Sequence, residues 1–69
     1  MRQIGPGVAV LVTDSKGRKH PKIALSAIVE GTDIQVVWVC RTEEWETSRK
    51  EGREAEGMPW PASDVELSR

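Results

Sequence analysis

Cys40 is the only cysteine and His20 the only histidine in the chain. A thiol or an imidazole does nucleophilic or acid–base chemistry only with a partner in hydrogen-bond reach and a third group to orient that partner. The sequence offers neither. Cys40 sits in an apolar stretch that reads as a strand, so it is expected to be a buried small hydrophobe with an inert, un-ionised thiol. His20 precedes Pro21 in a polar segment and reads as an ordinary loop residue. Glu43, Glu44 and Glu46 are close in sequence, but no apolar pocket is signalled that would separate their pKa values, so they read as solvated helix surface. One Cys and one His do not make a zinc site, and the acidic residues lack the spacing of a calcium loop. Gly5-Pro6-Gly7 has no following helix and no Gly-Lys-Ser/Thr phosphate signature. The reading is a protein that is not an enzyme and uses no cofactor or metal.

Two recognition chemistries remain. Lys16, Arg18, Lys19, His20 and Lys22 form a basic loop that could contact phosphates on a β-scaffold. No aromatic lies near it in sequence to stack on bases. Tryptophan is enriched at interface hot spots, and Trp45 and Trp60 both fall outside the regular strands. They are the candidate partner-binding residues, with the acidic stretch 42–57 as a polar rim. Trp38 alternates into the expected core and reads as structural. The preferred function is therefore a small non-catalytic module that binds a protein partner or a second copy of itself. Nucleic-acid binding through residues 16–22 is the alternative.

Composition narrows the setting. A chain of 69 residues with net charge -1 is one domain, 1–69, and not a generic polyanion binder. Charge is unevenly spread. Residues 1–29 hold Arg2, Lys16, Arg18, Lys19 and Lys22 against Asp14 alone, whereas 30–69 hold five basic and ten acidic side chains. So short a chain buries only about 60% of its unfolded surface, and a lone cysteine rules out a disulfide framework. A single free thiol fits a reducing compartment, here the cytoplasm. Met1 to Gly7 does not read as a secretory signal, and no apolar run approaches the ~20 residues of a membrane span.

The elements follow from periodicity. Val8 to Thr13 is β-branched and alternates, with Val8, Val10 and Val12 on one face. Asp14 to Pro21 reads as a turn or exposed loop, in which Gly17 can supply a positive φ. Ile23–Val29 and Ile34–Arg41 read as a hairpin around Glu30-Gly31-Thr32-Asp33, with Gly31 at the first central position of a type II′ turn. That register sets Val29 opposite Ile34, Ala27 opposite Val36, Leu25 opposite Trp38 and Ile23 opposite Cys40, all on one apolar face. It also sets Glu30 opposite Asp33, a like-charge conflict that a four-residue loop would relax. Residues 43–51 read as a two-turn helix with Thr42 as N-cap, a Glu46–Lys50 pair, Trp45 as its anchor and Gly52 as its stop. A mobile acidic loop is the alternative there.

In Met58-Pro59-Trp60-Pro61 the prolines exclude a central strand and push Trp60 to an extended conformation. Pro61-Ala62-Ser63-Asp64 can form a 3₁₀ turn, and Val65-Glu66-Leu67 a short strand that closes a sheet edge. The run Pro61-Ala62-Ser63-Asp64-Val65-Glu66-Leu67 resembles the Pro-Ser-Asn-Tyr-Val-Glu-Leu end of SH3 domains. The layout of first strand, long loop, hairpin, excursion, 3₁₀ turn and closing strand is similar to SH3-like barrels. The resemblance implies an all-β, SH3-like small barrel of four to five antiparallel strands with a short helical or loop insertion near 42–57. It implies no ligand. Asp64 stands in place of the peptide-binding Tyr, and the chain has no Tyr and no Phe.

Overall fold

The computed structural model describes residues 3–68. Its strands are β1 (Ala9–Thr13), β2 (Lys19–Ala24), β3 (Val29–Glu30), β4 (Gln35–Cys40), β5 (Met58–Pro61) and β6 (Val65–Leu67). One helix, α1 (Thr42–Glu51), lies between β4 and β5, and a 3₁₀ turn at Ala62–Asp64 links β5 to β6. All strand pairs are antiparallel. β1 lies between β2 and β6, and β4 pairs with β2, β3 and β5. The sheet curls into a half-barrel, so the expected all-β class with a short helical insertion is what the chain adopts. No helix among the described residues is long and apolar enough to cross a membrane.

The concave side holds the core: Val10, Val12, Ala24, Val37, Val39 and Val65 are buried together. Every one is Val or Ala. A tightly curled sheet leaves little room inside, and small branched side chains fill that volume at native density. This reverses the expected face of the hairpin. The core takes Ala24, Val37 and Val39, and Trp38 points out with 43% of its surface exposed. Ile23 does pair with Cys40, as the register requires, but the tip pairs Val29 with Val36 and Glu30 with Gln35. Two extra residues therefore sit on the β2–β3 arm, where Leu25 to Ile28 leave the ladder. The tip is a four-residue loop closed by Gly31 N–H to the Ile34 carbonyl at 2.8 Å, and Gly31 does not take the positive φ of a II′ turn. Glu30 thus meets Gln35, which donates to it at 3.1 Å, and the conflict with Asp33 disappears.

Asp14 builds the β1–β2 turn. Its Oδ1 accepts the amide protons of Lys16 and Arg18 at 2.8 and 2.9 Å, and Gly17 adopts φ 80. The turn is shorter than expected, because β2 already begins at Lys19. Pro21 fits inside β2 because β4 reaches β2 only at Ile23 and Ala24, leaving the strand open on that side.

α1 starts at Thr42 with Arg41 as its extended cap residue, so Thr42 is the first helical residue and not the N-cap. Gly52 ends the helix in the left-handed region at φ 68, ψ 30, where its N–H reaches the Ser48 carbonyl. The Glu46–Lys50 pair is not among the ion pairs of the described residues, and both side chains are exposed. β5 is an edge strand despite its prolines. An edge tolerates proline where the missing N–H would face away from the ladder, and it thereby refuses a further strand.

Candidate interaction face

The convex side of the β3–β4–β5 ribbon is built by cross-strand pairs, whose side chains share a face. Val29 pairs with Val36, Val36 with Pro61, and Trp38 with Pro59. Of the large apolar residues that the structure leaves exposed, Val29 and Trp38 lie on this face and Ile34 at its tip, whereas Ile28 precedes β3 and Met58, paired with the core residue Val39, belongs to the other face. Scattered single exposures are ordinary, but a gathering on one ribbon marks an interaction surface.

Trp38 is held on a fixed backbone. Its N–H donates to Ser26 Oγ at 3.2 Å and its carbonyl accepts the Leu25 N–H at 2.6 Å. The interruption between β2 and β3 thus supplies the partners that a continuous ladder would have supplied. Beside the indole lies a cleft of ≈ 440 Å³ lined by Leu25, Ser26, Trp38, Glu54, Ala55 and Gly57. Gly57 is required for this wall. A Cβ there would fall 2.5 Å from both the Val39 carbonyl oxygen and Leu25 Cδ1.

The wall is fastened to α1 by ion pairs. Arg53 donates from Nη1 and Nη2 to the two oxygens of Glu44 at 2.6 and 3.2 Å, and from Nε to Glu51 at 2.6 Å. Glu44 also accepts the Glu56 N–H at 2.9 Å. These donors hold the Glu44 carboxyl down at about 2, the Arg53 guanidinium contributing most and the Glu56 amide next. Glu44 is the one member of the acidic set Glu43, Glu44 and Glu46 that does internal work.

Trp45 lies against Gly7, before β1 begins, and Trp60 against Thr13, where β1 ends. Trp45 is half-buried. Its ring would touch a Cβ at Gly7 at 3.4 Å, and the Arg49 guanidinium lies 5.8 Å from its centroid. Trp60 is half-buried against the core, and its Nε1 donates to the Thr13 carbonyl at 3.1 Å. The exposed tryptophan is therefore Trp38, which sequence reasoning assigned to the core. The tip residues Ile28 and Ile34, on a segment without lysine or arginine, were the available signal.

The basic set is spread out rather than gathered in a loop. Lys16 and Arg18 occupy the exposed turn, while Lys19, His20 and Lys22 belong to β2, whose alternation sends Lys19 to the opposite face from the other two. Lys19 pairs with Glu66, and His20 Nε2 lies 2.7 Å from Asp14 Oδ2. That contact, with the Arg18 amide next, lowers the Asp14 pKa. Lys22 lines a second cleft, of ≈ 250 Å³, with Cys40, Arg41, Glu44, Glu56 and Met58.

Cys40 is 4% exposed, and burial followed by the nearby Glu44 charge pushes its thiol pKa up. His20 and Cys40 are not brought together: β2 carries Cys40 opposite Ile23, about 10 Å along the strand from His20. Among the described residues no three His, Cys, Asp or Glu side chains are arranged to hold a metal ion. No family model, no curated protein and no solved structure matches the chain.

Proposed function

We propose that this protein is a small non-catalytic module that binds a protein partner through the convex β3–β4–β5 face. The observation that carries the reading is the exposed Trp38 on that face, with exposed Val29 on the same side and exposed Ile34 at the tip of the ribbon. A tryptophan held by a bonded backbone loses little freedom when a partner covers it, which is how interface hot spots act. Trp45 and Trp60 contribute indirectly, the first by seating α1 and the second by fixing β5. The order of strands, the 3₁₀ turn and the closing strand support an SH3-like reading of the half-barrel, and a lone buried thiol suits a cytoplasmic setting.

Nucleic-acid binding through Lys16, Arg18, Lys19, His20 and Lys22 has less support, since Lys19 and His20 are already paired within the molecule. A photo-crosslinking residue at exposed position 34, which leaves Trp38 in place, compared with one at exposed position 9 outside the ribbon, tests the main reading. A protein adduct from position 34 alone is the expected result. Equal adducts from both positions, or none from position 34, would remove the reading. Salt-sensitive amide shifts at Lys16 to Lys22 with short oligonucleotides would move it to nucleic acid.

A further inference from the structure

We infer that the cleft beside Trp38 receives a lysine or arginine side chain from an extended, partly apolar segment of the partner. The inference rests on the protein-binding reading and adds the chemistry of what is bound. Its first support is the charge around the face. Residues 23–40 contain Glu30 and Asp33 and no lysine or arginine, and residues 54–68 contain Glu54, Glu56, Asp64 and Glu66 and again no cation. The cations nearest in sequence to the cleft wall belong to Arg53, and Glu44 and Glu51 already occupy them. Glu66 is paired with Lys19, and the carboxylates of these segments that have no ion-pair partner among the described residues are Glu30, Asp33, Glu54, Glu56 and Asp64.

The cleft itself is the second support. Trp38 and Glu54 line the same ≈ 440 Å³ space, with Leu25 and Ala55 between apolar walls and Ser26 polar at one side. The Glu54 carboxylate has no ion-pair partner among the described residues. An indole attracts a cation to its π face, a carboxylate supplies the opposite charge, and apolar walls take the methylene stem of the incoming side chain. An acidic segment or a nucleic acid would meet repulsion at the same place. A second copy carries exposed cations on the Lys16–Arg18 turn and on α1, at Arg49 and Lys50, neither of which is an extended, partly apolar segment.

The test is an amide NMR titration with matched extended peptides. They share the same leucines and carry lysine and arginine, glutamine, or glutamate at the remaining places. The lysine and arginine peptide is expected to shift Leu25, Ser26, Trp38 and Ala55, and to bind more tightly than the glutamine peptide. Glu54→Gln should cut that preference roughly fivefold, and the glutamate peptide should not bind. Equal affinity for the basic and glutamine peptides, or an unchanged preference in Glu54→Gln, would overturn the inference and leave a purely apolar interface. Shifts confined to Lys16–Lys22, or no binding by any peptide, would also overturn it. In that last case the crosslinking result from position 34 still decides the protein-binding reading separately.

Discussion

The β4–β5 ribbon has two sides that use the same residue types for different ends. On the concave side Val37 meets Trp60, and Trp60 packs on the valine core while its indole N–H bonds to Thr13. On the convex side Trp38 meets Pro59, and 43% of the Trp38 surface remains exposed. Trp60 has a neighbour for its rings and an acceptor for its nitrogen. Trp38 has a bonded backbone but a side chain turned away from the core. An aromatic residue that contributes little to the fold is the one with most to give to a partner.

Trp60→Ala should break the concave side and give the largest effect. Truncating a buried aromatic costs about 3–5 kcal/mol, and the partial exposure of Trp60 places it near 3. A domain of this length has a total stability on the order of 3–10 kcal/mol, so much of the variant population should be unfolded at room temperature. Urea titration followed by circular dichroism measures this. Trp60→Phe, which keeps the ring but loses the bond to Thr13, should cost about 1 kcal/mol. If Trp60→Ala unfolds no more readily than the parent, the two sides are not different and the comparison fails.

Gly57→Ala comes next. The added methyl must displace either the Val39 carbonyl or the Leu25 side chain, and overpacking of this kind costs about 1–3 kcal/mol. Because 54–57 forms the wall beside Trp38, this variant should also perturb the cleft. Amide shifts at Leu25, Ser26 and Trp38 should accompany the loss of stability. A change of stability without those shifts would show that the wall and the platform are independent.

Trp38→Ala sharpens the contrast from the other side. With its indole largely outside the core, its unfolding free energy should change by less than about 1 kcal/mol. The protein adduct expected from this face should nevertheless be lost, which a crosslinking residue at neighbouring exposed position 34 can report in the Trp38→Ala background. A loss of several kcal/mol would make Trp38 a core residue after all and return Trp45 or Trp60 to the centre of the functional question.

Much of the architecture was legible because it depends on local patterns. The alternation of Val8 to Thr13, the Asp14–Gly17 turn, the stop at Gly52 and the 3₁₀ turn before Val65 each follow from residues adjacent in the chain. The hairpin face was not legible, for a nonlocal reason. Alternation divides β4 into Val36, Trp38, Cys40 and Val37, Val39, and hydrophobicity alone favours burying the row with the tryptophan. The decision is made by volume on the concave side of the sheet, where β1 brings Val10 and Val12, and no local pattern reports that volume. The two extra residues between Ala24 and Val29 escaped for a related cause: Ser26 substitutes a side-chain oxygen for a ladder acceptor, which hides an interruption inside an apolar run. The basic set was misread as a loop because Pro21 suggested an end to regular structure, although an unpaired strand side accommodates it.

The smallest effect on global stability should come from the fastening of 52–57 to α1, yet it tests the candidate site directly. Glu44 titrates at about 2 in the folded chain instead of its ordinary 4.5. A carboxyl lowered in this way stabilises the fastened state fully above about 4.5, and that contribution fades as pH falls through about 2. Acid should therefore loosen the wall of the Trp38 cleft by protonating Glu44 and releasing Arg53 and the Glu56 amide. Hydrogen exchange at Glu56 should accelerate at the acid end beyond the intrinsic pH dependence, while the amides of Val10 and Val37 keep their protection. Glu44→Gln should produce the same local acceleration at neutral pH, because the amide loses the charge that draws Arg53. If Glu56 exchange in Glu44→Gln matches the parent, the wall is held by Gly57 packing alone. The convex site would then be as insensitive to charge as the valine core behind it.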